Sequence, residues 1–439
     1  MKAAGIVCEY NPFHNGHAYH IAQTRKRGYS HIAAVMSSNL VQRGGLALVE
    51  KQARAKAALL CGADLVLELP APWAGASAER FALGAVFLLE SLGCLSGLSF
   101  GSERGEPESL REAARLLREE AFQQRLKRLL REGDSYPAAR WQLLEQAGCP
   151  PLGPNDLLGV EYAKALAFFG SSMELTAIPR FGADHDGPLS SGCGPMASAS
   201  ALRRLVEKQG WNGAASYLPE QALGLFSQEP LSQPQRLDRA LLLKLRQMEP
   251  EQFAALPDCT EGLDRRLYRC ARQAGSIEEL LQAVKTKRYP LSRLRRILAA
   301  AAVGMTGEDQ RRLPPYLRVL AANSRGLELL AAAKRRRCSL PIHFSLAKLR
   351  GLGGAAERTA RLEAAATDLF FCSTEKISPC GLDYTRKAVI MKENIPFSPP
   401  CGTQMTYGML ARYSPSAVST RLPGRSGSPQ STPSSESLK

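Results

Sequence analysis

Ala3-Ala4-Gly5-Ile6-Val7-Cys8-Glu9-Tyr10-Asn11-Pro12-Phe13-His14-Asn15-Gly16-His17 is the stretch from which the rest of the chain can be read. Ala3–Cys8 is a short, wholly apolar run, the pattern of a strand buried on both faces. Glu9 to Asn15 carries turn chemistry, with Pro12 forbidding regular helix. A helix is predicted from near Gly16 to Arg27. A loop leaving a parallel strand and opening a helix lies where ligands of such sheets bind. The free N–H groups and dipole of the helix start attract phosphate. Gly16 lets a nucleotide approach the backbone, and His14 and His17 lie three residues apart on the first turn. Imidazoles there can donate hydrogen bonds as charge moves onto a leaving pyrophosphate. The same pair also fits a helix cap, or two ligands of a metal for which no third ligand is evident nearby.

Outward from this loop the pattern repeats. His31–Met36, Asp64–Leu69, Leu95–Phe100 and Glu174–Ile178 are further strand candidates. Helical stretches at Val49–Cys61, Glu79–Leu92, Asn155–Phe169 and Ala197–Lys208 alternate with them. Alternation of this kind predicts an α/β, Rossmann-like domain with a parallel sheet over residues 1–210. A charged helical insertion is expected at about 106–146, and a loop over 182–195. Beyond Leu223 the texture becomes Leu- and Arg-rich: Arg236–Met248, Ile277–Val284, Leu291–Val303 and Leu317–Ala333 all read as helices. A mainly α-helical domain is expected over 211–412. Residues 413–439, rich in Ser and Pro, read as a disordered tail.

The 439 residues are too many for one ordinary core, which agrees with two domains. Lys and Arg outnumber Asp and Glu by 57 to 41, and the net charge of +16 favours an anionic partner. Eleven scattered cysteines include no CxxC pair, which argues against a zinc ribbon or a thioredoxin-like site. No apolar run reaches membrane-spanning length, and the first residues run straight into strand pattern, so a cytoplasmic protein without a membrane partner is expected.

Two further features bear on anions. Ser198 and Ser200 stand at a helix start with Arg203 one turn on, a set that can clamp a triphosphate, although serines there also simply cap helices. Lys285-Thr286-Lys287-Arg288-Tyr289-Pro290-Leu291-Ser292-Arg293-Leu294-Arg295-Arg296 holds six basic residues and no acid. Lys285, Lys287, Arg288, Arg293, Arg295 and Arg296 are candidate RNA contacts, with Tyr289 available to stack on a base. Lys334 to Arg337 form a second basic run. Such runs also occur as solvated helix faces.

The strand, the His-x-Gly-His loop and the Ser/Arg helix start resemble the HIGH-motif nucleotidyltransferases. Gly5 to His17, together with Phe100-Gly101-Ser102-Glu103, Asn155 to Tyr162 and Ile178 to Ala183, is similar to the bacterial tRNA(Met) cytidine acetate ligase family, over roughly Met1 to Arg412. Asp184-His185-Asp186 departs from that pattern by lacking the expected aromatic beside the glycine-containing loop that follows Arg180. The resemblance implies a nucleotidyltransferase fold and a ligase that activates acetate as acetyl-adenylate and passes the acetyl group to the wobble cytidine, C34, of elongator tRNA(Met). It implies ATP contacts from Ile6, Val7, Cys8, Glu9, Tyr10, Asn11, Pro12, Phe13, His14, Asn15, Gly16, His17, Ala18, Tyr19 and His20, then Gly101, Asn155 and Arg180, with His14 and His17 catalytic. From the residues alone, Gly101 is equally a turn glycine, Asn155 a helix cap and Arg180 a surface arginine. ATP is expected as substrate, with Mg2+ on its phosphates, no protein-held metal and no tightly bound cofactor. An adenylyltransferase acting on a phosphorylated small molecule, and a non-catalytic RNA-binding protein, are the competing readings. The sequence is silent on oligomeric state.

Overall fold

The computed structural model describes residues 1–180 and 195–392. The expected tail at 413–439, most of the loop over 182–195 and the Asp184-His185-Asp186 departure lie outside the described residues. Ten strands are present: β1 (Ala3–Cys8), β2 (His31–Ser37), β3 (Leu40–Val41), β4 (Gly45–Leu46), β5 (Leu65–Leu69), β6 (Gly97–Ser102), β7 (Glu174–Pro179), β8 (Leu317–Ala322), β9 (Ile342–His343) and β10 (Val389–Ile390). Eight of them form one sheet in the order β10-β8-β5-β2-β1-β6-β7, with β9 beside β8. From β5 to β7 every pairing is parallel, as the short, continuously apolar strands require. β8 joins β5 antiparallel.

The strand order places the site. β1 leads on one side to β2 and β5 and on the other to β6 and β7, so the connections diverge on either side of the β1–β6 boundary. At such a switch point the loops leaving the strands separate, and a crevice opens at their carboxyl ends. The His14 loop leaves β1 and the Gly101–Glu103 segment leaves β6.

The sheet has a core on each face. Leu65, Leu67, Val86, Leu89 and Leu98 pack with the helices Ala78–Ser91 and Pro154–Phe169 on one face. Ile6, Ala34, Met36 and Val66 pack on the other with α1 (Asn15–Lys26) and α2 (Lys51–Leu60). The expected insertion consists of three helices, Pro107–Leu116, Glu120–Glu132 and Tyr136–Gln146, whose apolar stripes join the first core. A third core holds the helical part of the chain, from Leu242 to Met305, and takes in Leu40 and Ala71 from the N-terminal part.

One expected helix is corrected. Leu317–Ala333 is not one helix but β8 followed by a helix over Ser324–Arg335, with Asn323 as its N-cap. LRVLAA is buried along its whole length, Arg318 included, and a short, mainly apolar run carries no period to separate strand from helix. The two-residue strands β3 and β4 and the helix Gly354–Cys372 were not foreseen. Among the described residues no helix is long and apolar enough to cross a membrane.

Candidate functional site

The loop between β1 and α1 is fixed by its own side chains. Tyr10 takes a left-handed backbone (φ 47°) and packs edge-on against Phe13 and His17. Arg54 of α2, fully buried, donates to the carbonyls of Glu9 (2.6 Å), Ser37 and Ser38, which pins the loop to the end of β2. Glu9 accepts from the Gln42 N–H at 2.8 Å and Asn11 from the Leu48 N–H at 2.7 Å, so the loop is also tied to the β3–β4 hairpin.

His14 and His17 stack with ring centroids 3.8 Å apart. Nδ1 of His14 accepts the Gly16 N–H at 3.1 Å, and Nδ1 of His17 accepts the His14 N–H at 3.3 Å. With each Nδ1 committed as acceptor, each neutral ring carries its proton on Nε2. Burial and the nearby Arg180 and Arg203 push His14 down to about 3, and burial with His14, Arg180 and His20 pushes His17 well below the ordinary imidazole value. At neutral pH both rings are therefore uncharged Nε2–H donors. The capping reading of His14 is also correct: its side chain closes a reciprocal box with His17 at the start of α1.

His20, one turn further, is held through a hydroxyl chain. Thr24 donates to the His20 carbonyl at 2.9 Å, which leaves its oxygen to accept from Ser99 at 2.7 Å. Ser99 in turn accepts from Nε2 of His20 at 2.9 Å. Burial and Arg180 lower His20 to about 4.

Across the crevice, Glu103 accepts from the N–H groups of Asn155 and Asp156 at the start of helix Pro154–Phe169 and from the Asn155 side chain. Asn155 thereby turns its Oδ1 to Arg180, which donates to it at 2.9 Å. A Cβ added at Gly101 would stand 3.3 Å from Cγ of Arg180, so the glycine leaves that side chain its place. Arg203 donates to the Asn11 carbonyl at 2.8 Å and to Ser200 at 3.1 Å; Ser198 caps the helix over Ala199–Ala214.

These groups border one cavity of about 1160 Å³. The structure brings together Ile6 to Asn11, His14, Gly16, His17, Tyr19, His20, Gly101, Asn155, Arg180, Ser198, Ser200 and Arg203. Four of the expected contacts face elsewhere. Phe13 and Ala18 are core residues, Asn15 bonds the carbonyls of Pro195 and Ser216, and Pro12 is buried behind a cis peptide. Of the six basic candidates, Arg295 alone borders this cavity. Lys285, Lys287 and Arg288 are exposed elsewhere, whereas Arg293 and Arg296 are turned onto Glu261 and Asp258. Tyr289 is 8% exposed, with its hydroxyl on the Glu261 carbonyl, so the expectation that it stacks on a base is corrected.

Sequence reading missed several lining residues. Tyr136, Trp141, Leu144 and Leu152 bring an apolar wall from the insertion, and Tyr162 adds to it from the neighbouring helix. Arg140 bonds Glu161 at 2.8 Å while its Nε and second Nη have no partner among the described residues. Arg43 comes from the β3–β4 turn. None of these carries a motif, because spacing does not reveal which face of a helix meets a distant strand. The lining carboxylates are Glu9 and Glu103, both engaged by backbone N–H groups, so a divalent cation here would be held mainly by phosphate oxygens and water. The one described group of three potential metal ligands, Glu68, Glu363 and Asp383, is already centred on the Lys51 ammonium.

A family model described as HIGH Nucleotidyl Transferase matches residues 1–381. A tRNA(Met) cytidine acetate ligase of Acetivibrio thermocellus is 35% identical over 89% of this chain and 100% of its own length. Another, from Caldicellulosiruptor saccharolyticus, is 39% identical over 76% of this chain and 86% of its own. A crystal structure of Thermotoga maritima TmcAL bound with alpha-thio ATP superposes with a TM-score of 0.79 at 30% identity, covering 90% of this chain and all of that one.

Proposed function

The chain belongs to the HIGH nucleotidyl transferase family and, within it, to the ATP-dependent tRNA(Met) cytidine acetate ligases; from that premise we propose that it activates acetate with ATP and acetylates the wobble cytidine, C34, of elongator tRNA(Met). An acetate oxygen attacks the α-phosphorus, the bond to the β,γ-phosphates breaks, and acetyl-adenylate and pyrophosphate form. The cytidine N4 amine then attacks the acetyl carbonyl. AMP leaves, the amine gives up a proton, and N4-acetylcytidine results.

The observation that carries this reading is the convergence of the His14–His17 pair with Gly101, Asn155 and Arg180, drawn from four separate segments, on one cavity. The Nε2–H groups of His14 and His17 are the donors for phosphate oxygens as charge builds on pyrophosphate. Being neutral, they do so without the cost of burying a cation. Arg180, Arg203, Ser198 and Ser200 hold the phosphates, and the segment Ile6 to His20 surrounds the nucleotide. Mg2+, when bound, shields the triphosphate and polarises it toward attack. At about 1160 Å³ the cavity exceeds the usual range for one small ligand, which suits a nucleotide and an acceptor together. Lys285, Lys287, Arg288, Arg293, Arg295 and Arg296 are the tRNA contacts of this reading.

The purified protein with ATP, labelled acetate and elongator tRNA(Met) should release pyrophosphate and yield acetylated cytidine. Replacing His17 by Asn should slow acetate-dependent ATP–pyrophosphate exchange by about 100-fold and leave tRNA affinity unchanged. Pyrophosphate exchange that ignores acetate but responds to a phosphorylated small molecule would replace this reading with an adenylyltransferase.

A further inference from the structure

Arg180 and Arg203 border the cavity near His14, whose basicity they depress, and each already donates to a protein oxygen. Arg43 and Arg295 differ. Both border the cavity and both are exposed, and neither forms a hydrogen bond or an ion pair among the described residues. Arg43 enters the cavity from the β3–β4 turn and Arg295 from the helix Leu291–Val303.

These two arginines come from opposite parts of the chain and are held together by backbone packing. Gly44, at φ +78°, closes the β3–β4 turn against the helix Leu291–Val303: a Cβ there would stand 2.2 Å from the Arg296 nitrogen and 2.5 Å from the Arg295 carbonyl carbon. Leu40 and Leu46, at the two ends of the hairpin, pack into the core of the helical part. The other side of the hairpin is tied to the His14 loop through Glu9 and Gln42. The hairpin is thus a rigid bridge between the phosphate-handling loop and the basic helix.

We infer that Arg43 and Arg295 form a phosphate clamp that grips the RNA backbone beside the acceptor cytidine and sets how far that base reaches into the cavity. This rests on the reading given under Proposed function. Two unpartnered guanidinium groups at one rim are matched to phosphate oxygens, which accept their forks in pairs. ATP is the other possible source of phosphate. The RNA backbone is favoured because Arg180 and Arg203 already occupy the histidine end, and because Arg295 belongs to the basic run that continues away from the cavity.

The test uses the intact protein with Arg43→Gln, Arg295→Gln, the double variant and Gly44→Ala, with Arg128→Gln as a charge-matched control far out on the insertion (80% exposed). Binding of unmodified elongator tRNA(Met) is titrated across salt concentrations, and acetate-dependent ATP–pyrophosphate exchange is measured separately. Each clamp variant should weaken tRNA binding roughly tenfold and lower the salt slope by about one, with exchange unchanged. Gly44→Ala, which retains both arginines but parts the hairpin from the helix, should show the same loss of tRNA binding. The clamp is overturned if tRNA affinity changes no more than in Arg128→Gln. It is also overturned if exchange falls with binding in the two arginine variants, which would assign them to ATP. A wild type without acetate-dependent exchange would defeat the reading of the reaction, while the binding titration would still decide the clamp.

Discussion

The backbone has settled the tautomers of His14 and His17 before any substrate arrives. Each Nδ1 is occupied by a main-chain N–H, and each Nε2–H is left to donate. The pH behaviour follows from the depressed basicity of His14 and His20, at about 3 and about 4 in the folded chain. In the unfolded chain both titrate near the ordinary value of about 6.5. Between those values the unfolded state binds more protons, so stability is fully present above about pH 6.5 and falls as the pH drops toward 3. The urea midpoint should therefore decline between pH 7 and pH 4.5, and the decline should be shallower in His14→Asn; identical slopes in the two proteins would show that His14 is not held neutral. The residue scale is also where the sequence was most informative. The His-x-Gly-His spacing singled out the ring pair, since spacing along one turn of helix is local. It did not reveal that Tyr289 is buried on Glu261 or that Arg293 is turned onto Asp258, partners 28 and 35 positions away in the chain.

The same division between local and distant holds for elements. The five parallel strands were legible because each is a short, mainly apolar run bounded by turn residues. β8 was not: LRVLAA is too short to show a period, the Asn323 cap that ends it was passed over, and its place in the sheet is what makes it a strand. The hairpin was also hidden, its strands being two residues each. Glu103 shows what a helix start contributes. It caps Pro154–Phe169 through the N–H groups of Asn155 and Asp156 and orients the Asn155 amide that holds Arg180. Glu103→Ala should cost about 1 kcal/mol of stability, seen as a lower denaturation midpoint. It should also raise the KM for ATP with little change in kcat, because it loosens a binding arginine and not a group acting on the reacting bond. A fall in kcat at constant KM would place Arg180 in the chemical step.

For the whole molecule, the decisive feature is a buried ionic cluster. Lys51 of α2 meets Glu68 of β5 at 2.7 Å, and Glu363 and Asp383 at 2.6 Å each. Arg318 of β8 bonds Asp383 at 2.6 Å and Glu68 at 3.1 Å. All five side chains are at most 1% exposed. Burial and the neighbouring Glu68 raise Glu363, whereas Lys51 and Arg318 hold Asp383 below the usual carboxylate range. Asp383→Asn would leave Lys51 and Arg318 short of a buried counter-charge and should cost about 3–5 kcal/mol, measured by urea denaturation; a loss below 1 kcal/mol would mean that solvent reaches the cluster. Nothing in the sequence pointed to it, because its members are separated by up to hundreds of positions and each looks like an ordinary surface charge. β8 belongs to the same long-range closure. The edge of β5 is completed by a strand made far later in translation, and the acids that balance Lys51 come later still. Until then a nascent chain carries an unpaired strand edge, the feature by which unfinished proteins adhere to one another. The ribosome must therefore deliver most of the polypeptide before the sheet it began is safe from its neighbours.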